Sequence, residues 1–180
     1  MKTEVITTYV GLGSNLGDRA SNLLLAVRGL MEASFTVCKL SAIYETEPCG
    51  LENPEEHAPY LNMVAEIHVK SISPSQMLAR MLRIEYLLGR RDKNLKKPRT
   101  ADLDLLLYGD VQSATEFLTV PHPRLHERRF VLVPLVELAP HLVHPTLNKT
   151  VQEILHSCKD NSMVRRWNPF NEKRKTENGK

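Results

Sequence analysis

Pro98-Arg99-Thr100-Ala101-Asp102-Leu103-Asp104-Leu105-Leu106-Leu107-Tyr108-Gly109-Asp110 sets two carboxylates into a run that otherwise reads as a buried strand. Side chains on a strand alternate between faces, so Asp102 and Asp104 share one face while Leu103, Leu105 and Leu107 pack on the other. At about 3.3 Å of rise per residue the two aspartate Cα atoms stand roughly 7 Å apart, close enough for short side chains to converge on one or two cations. Hard oxygen donors, no nearby cysteine and a basic segment just upstream select magnesium carrying a polyphosphate over zinc. The competing reading is an edge strand with two solvated aspartates. It is disfavoured because aspartate is depleted from strands and is seldom buried without a partner.

Working outward, the flanking sequence supplies a sheet and helices to cover it. Val5 to Val10 is rich in β-branched and aromatic residues, and Gly11-Leu12-Gly13-Ser14-Asn15-Leu16-Gly17-Asp18 reads as a tight turn. A helix follows, with Leu23, Leu24, Val27, Leu30 and Met31 at helical spacing. Further strands are expected over Val37 to Tyr44 and Tyr60 to Val69. Between them Glu45 to Pro59, carrying Pro48, Gly50, Pro54 and Pro59, reads as a loop long enough to be functional. Ser73-Pro74-Ser75-Gln76 opens a second helix with a reciprocal cap and proline at its first position. Its buried side is Met77, Met81, Ile84 and Leu88, joined by Leu78 and Leu82, and Gly89 ends it. Beyond the carboxylate strand, Val120-Pro121-His122-Pro123-Arg124 breaks the chain and Phe130 to Leu138 is a compact apolar segment. Thr150-Val151-Gln152-Glu153 caps a short terminal helix. Strands joined partly by loops and partly by helices predict an α+β fold with a mixed or antiparallel sheet, not a regular βαβ series.

Composition bounds the function classes. With 180 residues, 42% apolar and 25% charged, the chain fits one domain with its own core. The formal net charge of +3 is mild, and basic residues cluster from Arg90 to Arg99 and from Arg165 to Lys180. No segment is apolar and long enough to cross a bilayer, and the N-terminus lacks a secretory layout, so the expected compartment is the cytoplasm. Cys38, Cys49 and Cys158 are odd in number and widely spaced, which disfavours a disulfide framework and a zinc site. Gly11, Gly13 and Gly17 invite a dinucleotide-binding reading, but the third glycine comes one residue late for that fingerprint, and no lysine follows it as in a phosphate loop. Glycines shaping a turn, with Asp18 supporting the next helix, is the preferred reading.

Taken together these segments resemble the 6-hydroxymethyl-7,8-dihydropterin pyrophosphokinase family of folate biosynthesis. The resemblance rests on Gly11-Leu12-Gly13-Ser14-Asn15-Leu16-Gly17-Asp18-Arg19, Tyr44-Glu45-Thr46-Glu47-Pro48, Tyr60-Leu61-Asn62, Pro98 to Asp104, Val120-Pro121-His122-Pro123-Arg124 and Arg128-Arg129-Phe130, in that order and spacing. It implies an α+β fold with a ferredoxin-like core and a mostly antiparallel sheet flanked by helices. Residues 1–167 would form one pyrophosphokinase domain, followed by a basic, disordered tail over 168–180. The implied reaction transfers pyrophosphate from MgATP to the hydroxymethyl oxygen of the pterin and releases AMP, with ATP as co-substrate. Asp102 and Asp104 would hold two magnesium ions, and Arg90, His122 and Arg128 would meet the phosphates, with Arg99 nearby. Tyr60 and Phe130 would sandwich the pterin, and Thr46 and Asn62 would meet its polar edge. Glu85, Leu118 and Thr119 would lie near the nucleotide. The implied partners are these small molecules, with no nucleic acid and no membrane, acting on a monomer.

The residues themselves leave alternatives beside each implied role. His122 between prolines reads equally as a turn residue, and Tyr60 and Phe130 alone read as core aromatics. Asn62 is the sharper clue, since asparagine inside a strand needs a partner for its side chain. The basic loop around Arg90, Arg91, Lys93, Lys96 and Lys97 also suits a nucleotide- or RNA-binding module without chemistry. A dinucleotide-dependent oxidoreductase is a third reading, and it gives Asp102 and Asp104 no role. The chain departs from the family pattern at Lys96 and Lys97, where an aromatic-glycine pair is common in a loop one residue longer. Arg91 or Lys93 would then serve as the second loop cation. It departs also at Leu82 for glutamine, Phe117 for arginine and Glu47 for proline.

Overall fold

A computed structural model describes residues 4–47, 58–89 and 99–170. Its centre is β1 (Val5–Ser14), bonded antiparallel to β4 (Tyr60–Lys70) on one side and to β5 (Asp102–Tyr108) on the other. Around them run α1 (Arg19–Glu32), β2 (Thr36–Leu40), β3 (Tyr44–Thr46) and α2 (Pro74–Leu87). Then come β6 (Ser113–Ala114), β7 (Thr119–Val120), α3 (Arg129–Leu138), α4 (Val151–Ser157) and β8 (Val164–Arg166). The main sheet has the order β5-β1-β4-β3-β8, with β2 also paired to β4, and β6 and β7 make a separate hairpin. The series β1-α1-β2-β4-α2-β5 with spatial order β5-β1-β4-β2 is the ferredoxin-like arrangement that the family resemblance implies.

Two apolar clusters hold the layers together. Val10, Leu12, Met63, Ala65, Leu103 and Leu105 meet α1 and α2 through Leu23, Leu30, Met77 and Met81. On the opposite face Tyr9, Val64, Leu106 and Leu107 meet α3 and α4 through Val131, Leu132, Leu135, Val151 and Ile154. The predicted caps are present. Ser73 and Gln76 bond each other's backbone at α2, Thr150 and Glu153 do so at α4, and Asp18 accepts from the Ser21 amide at 3.1 Å at α1.

The structure corrects four expectations. Gly11 and Gly13 lie inside β1, so only Asn15 to Asp18 turns, with Gly17 at φ 62°. A central strand in place of a strand-to-helix glycine turn removes the basis of the dinucleotide reading. The strand expected over Val37 to Tyr44 is two, because Val64 donates its amide to Ser41 Oγ at 3.0 Å where a strand carbonyl would otherwise accept. Leu107 does not share a face with Leu103 and Leu105. The register slips between Tyr9 and Val10, which leaves Leu106 extra and turns Leu107 to the α3 side. Leu82 is 41% exposed, since the buried stripe of α2 runs through Met77, Met81, Ile84 and Glu85. A strand that was not expected, β8, lies just ahead of the expected tail. β8 pairs with β3, and the Trp167 amide donates to the Ile43 carbonyl at 2.8 Å.

Candidate active site

A cavity of about 530 Å³ opens on the α3 side of the sheet. Its floor is set by register. Gly13 stands between Asn62 of β4 and Asp102 of β5, and Gly11 between Val64 and Asp104. Residues directly opposite one another across antiparallel strands share a face, so both carboxylates and Asn62 look into the cavity over two positions with no side chain. The space is tight: a Cβ at Gly13 would stand 3.0 Å from Asn62 Oδ1, and one at Gly11 3.5 Å from Leu106.

Each aspartate faces an arginine. Arg99 Nη1 lies 2.6 Å from Asp102 Oδ2, and Arg128 Nη1 lies 3.8 Å from Asp104 Oδ2. Arg99 is fixed by its backbone, since its amide donates to Asn15 Oδ1 at 2.8 Å and its carbonyl accepts from the Asn15 amide at 3.1 Å. Arg128 is the N-cap of α3, and its guanidinium carbon stands 5.6 Å from the centre of the Phe130 ring. Burial pulls the Arg128 pKa below its ordinary value and Asp104 pushes it back, so the side chain stays a cation held partly out of water. His122 is anchored through its amide to the Leu106 carbonyl at 2.9 Å, and its Nδ1 accepts from the Arg124 amide at 3.2 Å. Nε2 is therefore the proton-bearing nitrogen of the neutral ring.

The opposite wall combines buried polar side chains with two aromatic rings. Asn62 and Thr46 are 7% and 4% exposed, and Asn62 Nδ2 donates to Thr46 Oγ1 at 2.8 Å. Tyr60 pairs with Thr46 across β3 and β4, and Phe130 enters from the start of α3. Glu45, next to Thr46, is buried enough to raise its pKa, but hydrogen bonds and charge from Arg165 and Arg19 outweigh burial and hold it ionised.

One cavity thus collects Asp102, Asp104, Arg99, His122, Arg128, Thr46, Tyr60, Asn62 and Phe130. Three expected residues are not in its wall. Glu85 is 2% exposed and accepts from the Leu103 amide at 2.7 Å, so it supports the carboxylate strand from the α2 side. Leu118 is buried in the core shared with α1 and α2, and Thr119 belongs to the β6-β7 hairpin. Arg90, Arg91, Lys93, Lys96 and Lys97 lie outside the described residues, as do 48–57 of the long loop and 171–180 of the tail. The reading of the sequence missed Gly11 and Gly13 as floor, together with Arg124, Glu127 and Asp160. The glycines were detectable in principle, because strand alternation continues from Tyr9 through positions 11 and 13. Asp160 had no local signal.

Residues 9–140 match the family model for 7,8-dihydro-6-hydroxymethylpterin-pyrophosphokinase. The 2-amino-4-hydroxy-6-hydroxymethyldihydropteridine pyrophosphokinase of Bacillus subtilis is 44% identical over 158 residues, 87% of this chain and 92% of that one. The Haemophilus influenzae protein of the same name is 36% identical over 89% of this chain and 98% of its own. Wild-type Plasmodium falciparum HPPK-DHPS, solved with pteroate, superposes with a TM-score of 0.67 at 14% identity. That match covers 87% of this chain but 45% of the larger one, and shows the shared fold. The chain belongs to the 7,8-dihydro-6-hydroxymethylpterin-pyrophosphokinase family.

Proposed function

We propose that this protein transfers the pyrophosphoryl group of MgATP to the hydroxymethyl oxygen of 6-hydroxymethyl-7,8-dihydropterin, giving the pterin pyrophosphate and AMP in folate biosynthesis. The observation that carries the reading is the pairing of Asp102 and Asp104 with two arginines on the floor of a cavity whose far wall is Asn62, Thr46, Tyr60 and Phe130. In the proposal residues 1–167 act as one domain, as a cytoplasmic monomer on small molecules. Among the described residues no helix is long and apolar enough to cross a membrane.

The carboxylate pair fits magnesium. The donors are hard oxygens, and no cluster of three or more His, Cys, Asp or Glu forms among the described residues, so the remaining ligands are left to phosphate oxygens and water. We assign two ions to Asp102 and Asp104. Bound there, magnesium supplies positive charge to the phosphates. The protein's own groups position and neutralise. Arg128, Arg99 and His122 face the negative charge that develops on the β-phosphate and the departing AMP, with Arg90 as a further cation. Tyr60 and Phe130 offer ring faces to the pterin, and the Asn62 carboxamide and Thr46 hydroxyl meet its amide-like edge. Together they hold the hydroxymethyl oxygen toward the β-phosphorus.

The reading makes ATP binding dependent on the two carboxylates being neutralised by metal. By equilibrium dialysis, ATP should bind at least about a hundredfold more tightly with magnesium than with chelator. Equal binding in both conditions contradicts the assignment. Gly13→Ala offers a second test. Its Cβ would press on Asn62 Oδ1 and push the carboxamide off Thr46, so pterin affinity should fall about tenfold with the fold retained. Calorimetry with a pterin analogue reads this directly, and unchanged affinity places the pterin elsewhere.

A further inference from the structure

Asp160 is an acid in this cavity to which the proposed reaction gives no role. A carboxylate beside a site for polyphosphate is an electrostatic liability, so its presence calls for another role. Helix α3 supplies one. It begins at Arg129, and its N-cap, Arg128, makes no capping side-chain hydrogen bond. Asp160 fills that gap from the far end of the chain. Its Oδ2 accepts from the Arg129 amide at 2.8 Å, and its Oδ1 accepts from the Ser162 amide at 2.8 Å. A negative group on an otherwise unbonded first-turn amide is favourable both as a hydrogen bond and against the helix dipole.

What this cap holds matters more than that it exists. Arg129 sits between Arg128, which faces Asp104, and Phe130, which lines the cavity. Four residues past Asp160 the chain enters β8, where Val164 pairs with Thr46. One short segment therefore ties the start of α3 to β3, two walls of the same site. It lies beyond residue 140, where the family match ends.

We propose that Asp160 is a positioning residue for the reaction, capping α3 from a distance so that Phe130 and Arg128 are held against the Thr46 wall. This rests on the substrate reading above, and the test separates the two. Asp160→Ala should raise the KM for the pterin about tenfold while kcat falls less than about threefold. Asp160→Asn, whose amide oxygen still accepts one of the two N–H groups, should fall between. Thr150→Ala removes a comparable cap from α4, outside the cavity, and should lower the melting temperature similarly with KM within about twofold of wild type. In hydrogen exchange, the Arg129 amide should lose protection in Asp160→Ala and keep it in Thr150→Ala.

A wild-type KM in Asp160→Ala, or an equal rise in Thr150→Ala, overturns the proposal, as does unchanged exchange at Arg129. If Asp160→Ala does not fold, Asp160→Asn decides by the same comparison. If the wild-type protein turns over no pterin, the substrate reading fails, and the exchange measurement still decides whether Asp160 caps α3.

Discussion

Asp102→Asn and Asp104→Asn should each lower turnover by about a thousandfold or more and leave the fold in place. An amide keeps the shape and one acceptor oxygen but loses the charge that the proposed mechanism assigns to holding magnesium against ATP. Stability should change little, because the amide oxygen in Asp102→Asn can still accept from Arg99 and the Arg128–Asp104 approach is a loose 3.8 Å. Circular dichroism and a thermal melt check the fold, and steady-state kinetics the loss. Calorimetry should show pterin binding reduced far less than ATP binding, since the Asn62–Thr46 hydrogen bond is formed independently of the two arginine–aspartate pairs. Near-wild-type turnover in both variants would remove the metal assignment.

Arg128→Ala should lower kcat about a hundred- to a thousandfold. Its guanidinium is the cation held partly out of water at the carboxylate end, where a fixed charge acts most strongly on a phosphoryl-type transition state. Arg128→Lys should recover only part of the loss. A lysine keeps the charge but not the planar group that stands 5.6 Å from the Phe130 ring centre. Single-turnover kinetics separate this loss from a weakening of pterin affinity. Equal kcat in Arg128→Ala and wild type would remove Arg128 from the phosphate-facing role.

Much of this site was legible because its chemistry breaks local rules. Two aspartates in an apolar strand and an asparagine in another are each costly unless used, and the structure brings all three to one floor. The helices were legible for the opposite reason, since Ser73-Pro74-Ser75-Gln76 and Thr150-Val151-Gln152-Glu153 satisfy their own backbones locally. What escaped was set by distant partners. Leu107 changes face through a slip against Tyr9, a residue almost a hundred positions away, and no pattern within β5 announces it. Glu85, which the family resemblance puts near the nucleotide, accepts from the Leu103 amide across the core, a role no local pattern announces. The glycines of β1 were read as a turn because glycine usually ends strands, whereas here their missing side chains make the floor. Asp160 and β8 lie in a polar stretch that acquires structure only by pairing with α3 and β3.

The most direct test of the central claim is the identity of the nucleotide product. Attack by the pterin oxygen at the β-phosphorus leaves AMP, whereas an ordinary kinase reaction at the terminal phosphate leaves ADP. The protein, MgATP and 6-hydroxymethyl-7,8-dihydropterin should be incubated together, and the mixture resolved by chromatography with and without chelator. The account predicts AMP and the pterin pyrophosphate in equal amounts, both abolished by chelator. ADP as the sole nucleotide product, or no product from folded protein at any magnesium concentration, would contradict it.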